Sequence, residues 1–247
     1  MAVPFDRVAG AYDSTRGLSP ETMTRITDSM QDILAGCSTV LDVGVGTGRF
    51  AGPLIGRGFR VVGADISLPM MLKARQKGLK DLVRADARKL PFHNCTFDSA
   101  LVVHLLHLVN DWVNIVHEVG RVAGLLIISL VGTASGFRIR REYLRLREEM
   151  GRPLKRLNNA EEGLRRLLPP KQIYFVGEHT TTINSEEAIA SLEHGDFAIS
   201  WDLPEDFHYK IIGKLRLEFG EKDYSRTDRY EIAVWTPEQF RRFKEDM

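Results

Sequence analysis

Short apolar segments alternate with helical segments between Val40 and Val131, and this alternation limits the possible folds more than any other feature. The apolar segments read "VLDVGV", "RVVGADIS", "SALVVHLL" and "GLLIISLVG", and each is apolar on both faces. Strands of that kind are typical of a parallel sheet covered by helices on both sides. Such a sheet binds ligands beyond the carboxyl ends of its strands. We therefore expect an α/β fold with its site at that edge.

The second half of the chain follows a different pattern. The segments "KQIYFVGEHTTTIN" and "DRYEIAVW" are typical of strands, and "NSEEAIASLEHG" and "PEDFHYKIIGKLRLEFG" are typical of helices. We interpret them as the remaining sheet edge and as helical insertions, within 133–222, that form a cap over the ligand site. A length of 247 residues fits one domain spanning 1–247, with an N-terminal helical segment over 1–34.

Composition excludes several classes of function. The formal net charge of +1 gives no general attraction to nucleic acid or to a membrane surface. The longest apolar run, residues 124–132, is too short to cross a bilayer, and the N-terminus has no apolar leader segment. Two cysteines without a disulfide pattern fit a reducing compartment. These features predict a cytoplasmic protein with a small-molecule partner, and no nucleic acid or membrane insertion.

Arginines are frequent between Arg138 and Arg166, where glutamates are interleaved with them. A run of positive charge could bind RNA or an acidic substrate. Mixed signs at helical spacing are more typical of a solvated helix face, and we favour that interpretation.

The glycine-rich turn "VLDVGVGTGRF", from Val40 to Phe50, follows the first strand. Gly44 and Gly46 would let the backbone approach a ligand closely, as in dinucleotide sites and in methyl-donor sites. Asp42 narrows the choice, because a carboxylate would repel a pyrophosphate and attract an ammonium group. The alternative for Asp42 is a helix cap.

Two further acids lie where we place the ends of the next strands. Asp65 ends the second strand, where an acid accepts hydrogen bonds from ribose hydroxyls. Asp86 ends the predicted third strand, where it could accept from an adenine amino group. Either acid could instead be an ordinary turn residue.

Two histidines follow the fourth strand in "VVHLLH". His104 is our candidate general base, and His107 is the second possibility. Both could equally line a pocket or cap the next helix. We predict no metal site, because no pair of carboxylates lies at suitable spacing from them.

Together these motifs resemble the class I methyltransferases that use S-adenosyl-L-methionine (SAM), in the small-molecule branch that includes ubiquinone and menaquinone methyltransferases. The similar run extends from about Phe5 to Leu130 and contains "LDVGVGTGRF", "VVGADIS", "RADARKLPF" and "FDSALVVHLLHLV" in that order. The resemblance implies a Rossmann-like seven-stranded, mostly parallel sheet with helices on both faces and a helical cap. It also implies in-line transfer of a methyl group from SAM to a small-molecule acceptor, with S-adenosyl-L-homocysteine as the product.

The resemblance implies roles for residues along the cofactor. Asp42, Gly44 and Gly46 would line the methionine part of SAM. Val103 and His104 would lie beside its methionine end.

The nucleoside part of the cofactor would be held by the following two strand ends. Asp65 would bind the ribose, and Ile66 would lie against the adenine. Asp86 and the backbone of Ala87 would bind the adenine edge.

The N-terminal segment "FDRVAGAYDSTRG" matches a segment that folds over the cofactor in such enzymes. Tyr12 and Arg16 belong to it, and Arg16 would pair with the SAM carboxylate. Two alternatives stay open: a NAD-dependent oxidoreductase and a catalytically inactive SAM-binding protein. No sequence feature indicates an oligomeric state.

Overall fold

The structure is a computed structural model that describes residues 6, 9–10, 12–13, 18–135, 138–154, 160–220 and 222–244. Its strands are β1 (Thr39–Val43), β2 (Arg60–Asp65), β3 (Leu82–Arg84), β4 (Phe97–Val102), β5 (Ala123–Ser135), β6 (Gln172–Asn184) and β7 (Asp223–Trp235). They form one sheet of seven strands in the order β3-β2-β1-β4-β5-β7-β6. The first five strands are mutually parallel, and β7 pairs antiparallel with both β5 and β6. The predicted seven-stranded, mostly parallel sheet is confirmed.

Nine helices accompany these strands in the described ranges: α1 (Pro20–Ile33), α2 (Ala51–Gly56), α3 (Leu68–Gln76), α4 (Trp112–Val122), α5 (Arg138–Glu149), α6 (Ala160–Leu167), α7 (Ser185–Glu193), α8 (Glu205–Phe219) and α9 (Pro237–Arg242). Local sequence sets where several of them begin. The Ser19 side chain accepts a hydrogen bond from the Thr22 backbone N–H at 3.2 Å, and Pro20 follows it at the first helical position. The Asn184 side chain caps α7 in the same way, accepting from the Glu187 N–H at 3.1 Å.

Alternate residues of the strands enter two separate cores, one on each face of the sheet. Leu41 and Val43 of β1 pack on the face covered by α4, α6 and α9. Val40, between the sheet and α1, α2 and α3, packs on the opposite face. This two-residue alternation buries both faces of the sheet, which is the reason that its central strands are mostly apolar.

A third core lies among α5, α7 and α8, at some distance in sequence from the first two. Tyr143 is fully buried there, and its hydroxyl lies 2.7 Å from Nδ1 of His208. Arg147 is also buried in this core, where it pairs with Asp202 at 2.9 Å. The interpretation of the arginine run as a solvated face is therefore wrong for Arg147, because the long side chain passes through apolar packing to reach a carboxylate.

The third strand ends earlier than predicted. Its last residue is Arg84, and Asp86 lies two positions beyond it. The Asp86 carboxylate accepts the backbone N–H of Arg88 at 2.9 Å, and its carbonyl accepts the N–H of Lys89. This local turn withdraws the backbone from the ladder, since an aspartate side chain competes with strand hydrogen bonds.

Among the residues that the structure describes, no helix combines the length and the apolar character needed to cross a bilayer.

Candidate functional site

The glycine turn leaves β1 and folds back against β2. The backbone N–H groups of Gly44 and Val45 both donate to the carbonyl of Ala64, at 2.8 and 3.1 Å. Gly44, Gly46 and Gly48 have φ values of +75°, +54° and +74°. Other residues adopt that region at a cost in energy, so the turn requires glycine at these positions.

Close packing adds a second requirement at Gly44. A Cβ atom there would lie 3.0 Å from the side chain of Leu105, which closes over the turn from the end of β4. Methyl groups do not approach so closely without displacement. The turn is thus built to expose its backbone on the ligand side while it is covered from β4.

Two carboxylates lie at the carboxyl ends of β1 and β2. Asp42 is the penultimate residue of β1 and is only 4% exposed, and Asp65 is the last residue of β2. The two Asp65 oxygens accept the backbone N–H groups of Gly46 and Ser67, each at 2.8 Å. A carboxylate has about four acceptor positions, so Asp65, which also interacts with the backbone N–H of Ile66, keeps acceptor capacity for a ligand hydroxyl.

Burial changes the protonation of both acids. Burial raises the pKa of Asp42 to about 7, and the nearby charge of Asp65 adds to the increase. Burial also raises the pKa of Asp65, against the hydrogen bonds from Ser67 and Gly46. Two acids in a poorly solvated place are stabilised by a cationic ligand, which returns them to the ionised state. An anionic pyrophosphate would have the opposite effect.

The predicted adenine side of the site contains one apolar and one charged feature. Ile66 is 45% exposed although it directly follows Asp65, so it offers an apolar surface to a ligand ring. Asp86 is engaged by Arg88, whose Nη2 lies 2.6 Å from Oδ2. This guanidinium holds the pKa of Asp86 below its usual value. Ala87, between them, packs partly buried against the core.

Arg88 was not predicted as a site residue from the sequence. It clamps Asp86 from one side and reaches Asp111 at 3.0 Å from the other. The signal that could have found it is the Asp-x-Arg spacing, since an aspartate that turns the backbone brings the second residue's side chain beside its own.

The N-terminal segment contacts the site at two points. Asp13 accepts a hydrogen bond from the Thr47 hydroxyl at 2.7 Å and forms an ion pair with Lys77 at 2.6 Å. Asp6 accepts from the Ser67 hydroxyl at 2.6 Å. Thr47 follows the glycine turn and Ser67 follows the end of β2, so Asp13 and Asp6 contact the chain beside these two elements.

Tyr12 lies next to this contact, and the guanidinium of Arg49 lies over its ring at 5.4 Å from the centroid. Nη2 of Arg49 is buried and has no hydrogen-bond partner in the described ranges. Arg16 lies outside the described residues. Arg49 was not selected from the sequence, where a single arginine after the glycines carries no distinguishing pattern.

A cavity of about 460 Å³ opens at the carboxyl ends of β4 and β5, beneath α6. Most of its lining is apolar and comes from the face of β5 and from α6, α9 and the end of β7. Six polar side chains also line it: His104, His107, Ser129, Glu161, Glu162 and Arg165.

The two histidines occupy different settings in this cavity. His104 follows β4 with φ +53°, a left-handed conformation that is uncommon for residues with a Cβ, and its side chain is exposed. His107 lies in the 3₁₀ turn Leu106–Leu108, with Nδ1 at 2.8 Å from Oε1 of Glu161. The two rings are 6.5 Å apart between centroids. Glu161 was not selected from the sequence, because the pair is separated by 54 positions.

The structure thus brings the predicted residues to one edge of the sheet. Those on the described ranges are Tyr12, Asp42, Gly44, Gly46, Asp65, Ile66, Asp86, Ala87, Val103 and His104. The first strand joins the two parts of the edge, because Val43 pairs in register with Val102, which lines the cavity.

Comparison with known proteins agrees with this geometry. A family profile described as a methyltransferase domain matches residues 41–127. The chain is 30% identical over 237 residues to the ubiquinone/menaquinone biosynthesis C-methyltransferase UbiE of Desulfotalea psychrophila, covering 88% of each chain. It is 36% identical over 118 residues to a phosphatidylethanolamine N-methyltransferase of Cereibacter sphaeroides, covering 45% of this chain and 57% of the relative. The chain spans less than two thirds of the length of that relative and of two others that it matches.

Among solved structures, a SAM-dependent methyltransferase of Thermotoga maritima has a similar fold. The TM-score is 0.50 at 20% identity, and the similarity covers 92% of this chain and 97% of the other.

Proposed function

Since the chain belongs to the class I SAM-dependent methyltransferases of small molecules, we propose that it methylates an acceptor bound in the 460 Å³ cavity. One observation carries this proposal. The acids at the ends of β1 and β2 and the cavity at the ends of β4 and β5 adjoin through the in-register pair Val43 and Val102. A methyl donor at the acids would therefore meet an acceptor in the cavity.

We assign the recognition of the methionine part to the end of β1. SAM supplies the methyl group on a sulfonium, and it also carries an ammonium. The buried carboxylate of Asp42 would bind the positive charge, and the backbone at Gly44 and Gly46 would approach the ligand closely. Val103 and His104 would border the methionine end, with His104 also a candidate base.

We assign the nucleoside to the ends of β2 and β3. Asp65 keeps acceptor capacity for a ribose hydroxyl beyond its backbone hydrogen bonds, and Ile66 offers an exposed apolar face to the adenine. Asp86 and Ala87 would meet the adenine edge. Arg88 holds the Asp86 carboxylate in place, so Asp86 must share its oxygens between that guanidinium and the ligand.

The N-terminal segment over 1–34 would cover the cofactor. Tyr12 and Arg16 belong to this cover, and Arg16 would pair with the SAM carboxylate. Arg49 is a second cation for that carboxylate, because its Nη2 is buried without a hydrogen-bond partner in the described part of the chain.

The same proposal covers the rest of the protein. The chain would act as one domain over 1–247, and the helices within 133–222 would contribute the acceptor cap through α6, which lines the cavity. It would work in the cytoplasm on a small molecule and without nucleic acid. Positioning of donor and acceptor supplies much of the rate in such a transfer, roughly 7–11 kcal/mol for well-oriented reactants.

Calorimetric titration with SAM and, in parallel, with NADH tests the cofactor. We expect SAM to bind at one equivalent and NADH not to bind. Asp65→Ala should weaken SAM binding roughly 10- to 100-fold, since hydrogen bonds to a charged group contribute about 1.5–3 kcal/mol. Asp206→Ala is the matched control, because Asp206 is exposed on α8 and pairs only distantly with Lys210.

Circular dichroism would establish whether the Asp65→Ala variant folds. If it does not fold, Asp65→Asn is the second variant, because its side chain keeps one hydrogen-bond acceptor. Binding of NADH alone, or unchanged SAM affinity in both Asp65 variants, would overturn the assignment. Release of S-adenosyl-L-homocysteine with the small-molecule fraction of a cell extract separates an active enzyme from an inactive SAM-binding protein.

A further inference from the structure

The polar groups of the cavity are arranged as a base and its support. His107 and Glu161 both line the cavity, and their 2.8 Å contact joins the turn after β4 to the first turn of α6. We propose that His107 is the general base of the methyl transfer, with Glu161 as its positioning residue, and that the acceptor is an apolar molecule with a weakly acidic hydroxyl group. This inference rests on the proposed function, since it concerns the acceptor half of the same site.

The contact determines which ring nitrogen can accept a proton. Nδ1 faces the Glu161 carboxylate and donates to it, so the lone pair of the neutral ring is on Nε2. An imidazole held in this way can take a proton, and the neighbouring carboxylate then stabilises the imidazolium. His107 is 28% exposed at its side chain, so it is open to the cavity yet supported by packing.

Glu161 has the charge state that this role needs. Burial opposes its ionisation, yet the hydrogen bond from the His107 ring holds the pKa of Glu161 below its usual value. The other titratable or charged side chains that line the cavity are His104 from the loop after β4, and Glu162 and Arg165 from α6.

The lining indicates the acceptor class. Its apolar members form a surface that suits a ring or a short chain, and they include Leu106, Ile127, Val131, Leu164, Trp235 and Phe240. An apolar molecule needs a base here only if its reacting atom carries a proton that is lost on transfer. A hydroxyl of the phenol or enol type fits an imidazole base, whereas a neutral amine already has a lone pair to offer.

Arg165 adds one element of specificity. Its Nε is buried and has no hydrogen-bond partner among the described residues, although it lies on the cavity wall. A buried donor left without a partner lowers stability, so an acceptor that brings an oxygen to Arg165 gains binding energy from it. An acceptor that carries a second oxygen beside its hydroxyl would therefore bind more tightly than one without it.

The methyl transfer moves one proton, one methyl group and one positive charge. Nε2 of His107 takes the hydroxyl proton, and an oxygen lone pair forms the new O–CH₃ bond. The S–CH₃ bond breaks with its electron pair left on sulfur, which becomes the neutral thioether of S-adenosyl-L-homocysteine. The positive charge moves from sulfonium to the imidazolium next to Glu161, and water later removes the proton.

The test measures release of S-adenosyl-L-homocysteine with phenol, 2-naphthol, 4-hydroxybiphenyl and 4-hydroxybenzoate. Matched probes without the hydroxyl are 2-naphthylamine, 2-naphthalenethiol and naphthalene. We expect a methyl ether from at least one hydroxyl compound and faster turnover with 4-hydroxybenzoate than with phenol. Arg165→Gln should remove that preference.

Variants distinguish a general-base role of His107 from a purely structural role. His107→Asn should lower kcat about 100-fold or more, the range for loss of a general base, with SAM affinity unchanged. Glu161→Gln should lower kcat and leave KM for SAM unchanged, because an amide stabilises the imidazolium less. Glu161→Asp should recover part of the rate. Glu205→Gln, an exposed first-turn glutamate of α8, is the control.

Each outcome decides something. If the wild-type protein does not bind SAM, the proposed function itself is overturned. Intact SAM binding with methylation only of the amine or thiol, or with no probe methylated, would overturn the acceptor class. A full rate in a folded His107→Asn protein, together with a loss in His104→Asn, would return the role of base to His104.

Discussion

Replacing Asp42 with asparagine should stabilise the protein and at the same time weaken its binding of SAM. The reason is the burial of this carboxylate, which is 4% exposed at the end of β1. Burial and the charge of Asp65 raise its pKa from 3.8 to about 7. Asparagine has nearly the same shape and carries no charge at any pH.

The size of the effect on stability follows from proton linkage. Unfolding releases the proton of Asp42 between pH 4 and pH 7, so the wild-type protein loses stability as the pH rises through that window. A pKa shift of about three units corresponds to about 4 kcal/mol, reached once the pH exceeds the folded-state value. The stability of Asp42→Asn relative to wild type should therefore grow by about 3 kcal/mol between pH 5 and pH 8.

The effect on binding has the opposite sign. A cationic ligand group needs the ionised carboxylate, and with a pKa of about 7 the ionised fraction falls steeply below neutral pH. The Kd of wild type for SAM should rise about tenfold from pH 8 to pH 6 through this group alone. The asparagine variant should bind SAM more weakly at pH 8 and lack this part of the pH dependence.

Urea unfolding of the ligand-free proteins at pH 5, 6, 7 and 8, with calorimetric titration at the same pH values, measures both effects. The comparison with wild type removes contributions from titrating groups that do not interact with Asp42. A stability difference that does not change with pH, or equal SAM affinity at pH 8, would refute the reasoning about Asp42.

Three further substitutions test other parts of the structure. Gly44→Ala should weaken SAM binding and lower stability, because φ is +75° and the new Cβ would lie 3.0 Å from a leucine side chain. Arg147→Met should lower stability by about 1–3 kcal/mol in urea unfolding, since it removes the buried guanidinium that donates to Asp202 and to the carbonyl of Ile199 and leaves that buried carbonyl without its donor. Asp98→Asn should lower stability by about 1–3 kcal/mol at pH 7, because the carboxylate accepts two backbone N–H groups before and at the start of β1.

Each of these has a control or a contrary outcome. Gly213→Ala in α8 should stabilise by about 0.5–1 kcal/mol, since a Cβ there meets no atom within 4 Å. Lower stability from both glycine variants would show that φ at Gly44 is not the cause. The hydrogen bonds to Asp98 lower its pKa, so their contribution is present at neutral pH and disappears as the pH falls below about 4. An equal loss in Asp98→Asn at pH 3 and pH 7 would contradict this. Unchanged stability of Arg147→Met would contradict a stabilising role of the hydrogen bonds that Arg147 donates.

Much of the fold could be predicted from local sequence. Most residues of β1, β2, β4 and β5 are apolar because both faces of the sheet are covered, and that pattern is visible without coordinates. Ser19 and Asn184 are capping residues by chemistry, and both cap helices in the structure. The observed end of β3 differs from the predicted one: β3 ends at Arg84, because the Asp86 side chain turns the backbone just after it.

The positions of the candidate cofactor-binding acids could also be predicted, for the same reason. Parallel strands bring their carboxyl ends to one edge, so acids predicted at successive strand ends must lie together. Asp42 and Asp65 follow that rule, and the left-handed turn needs its glycines by local geometry alone.

The sequence by itself determined the elements that depend on neighbours in the chain: strand periodicity, helix caps, the glycine turn and the acids beside it. Only the tertiary structure decided which distant side chains meet. His107 and Glu161 are 54 positions apart, and their contact depends on α6 packing against the sheet beside the turn after β4. In the sequence, Arg147 cannot be distinguished from its exposed neighbours. Its burial beside Asp202 depends on the packing of α5 against α8. Such partnerships follow from nonlocal burial, which brings together groups that no local spacing connects.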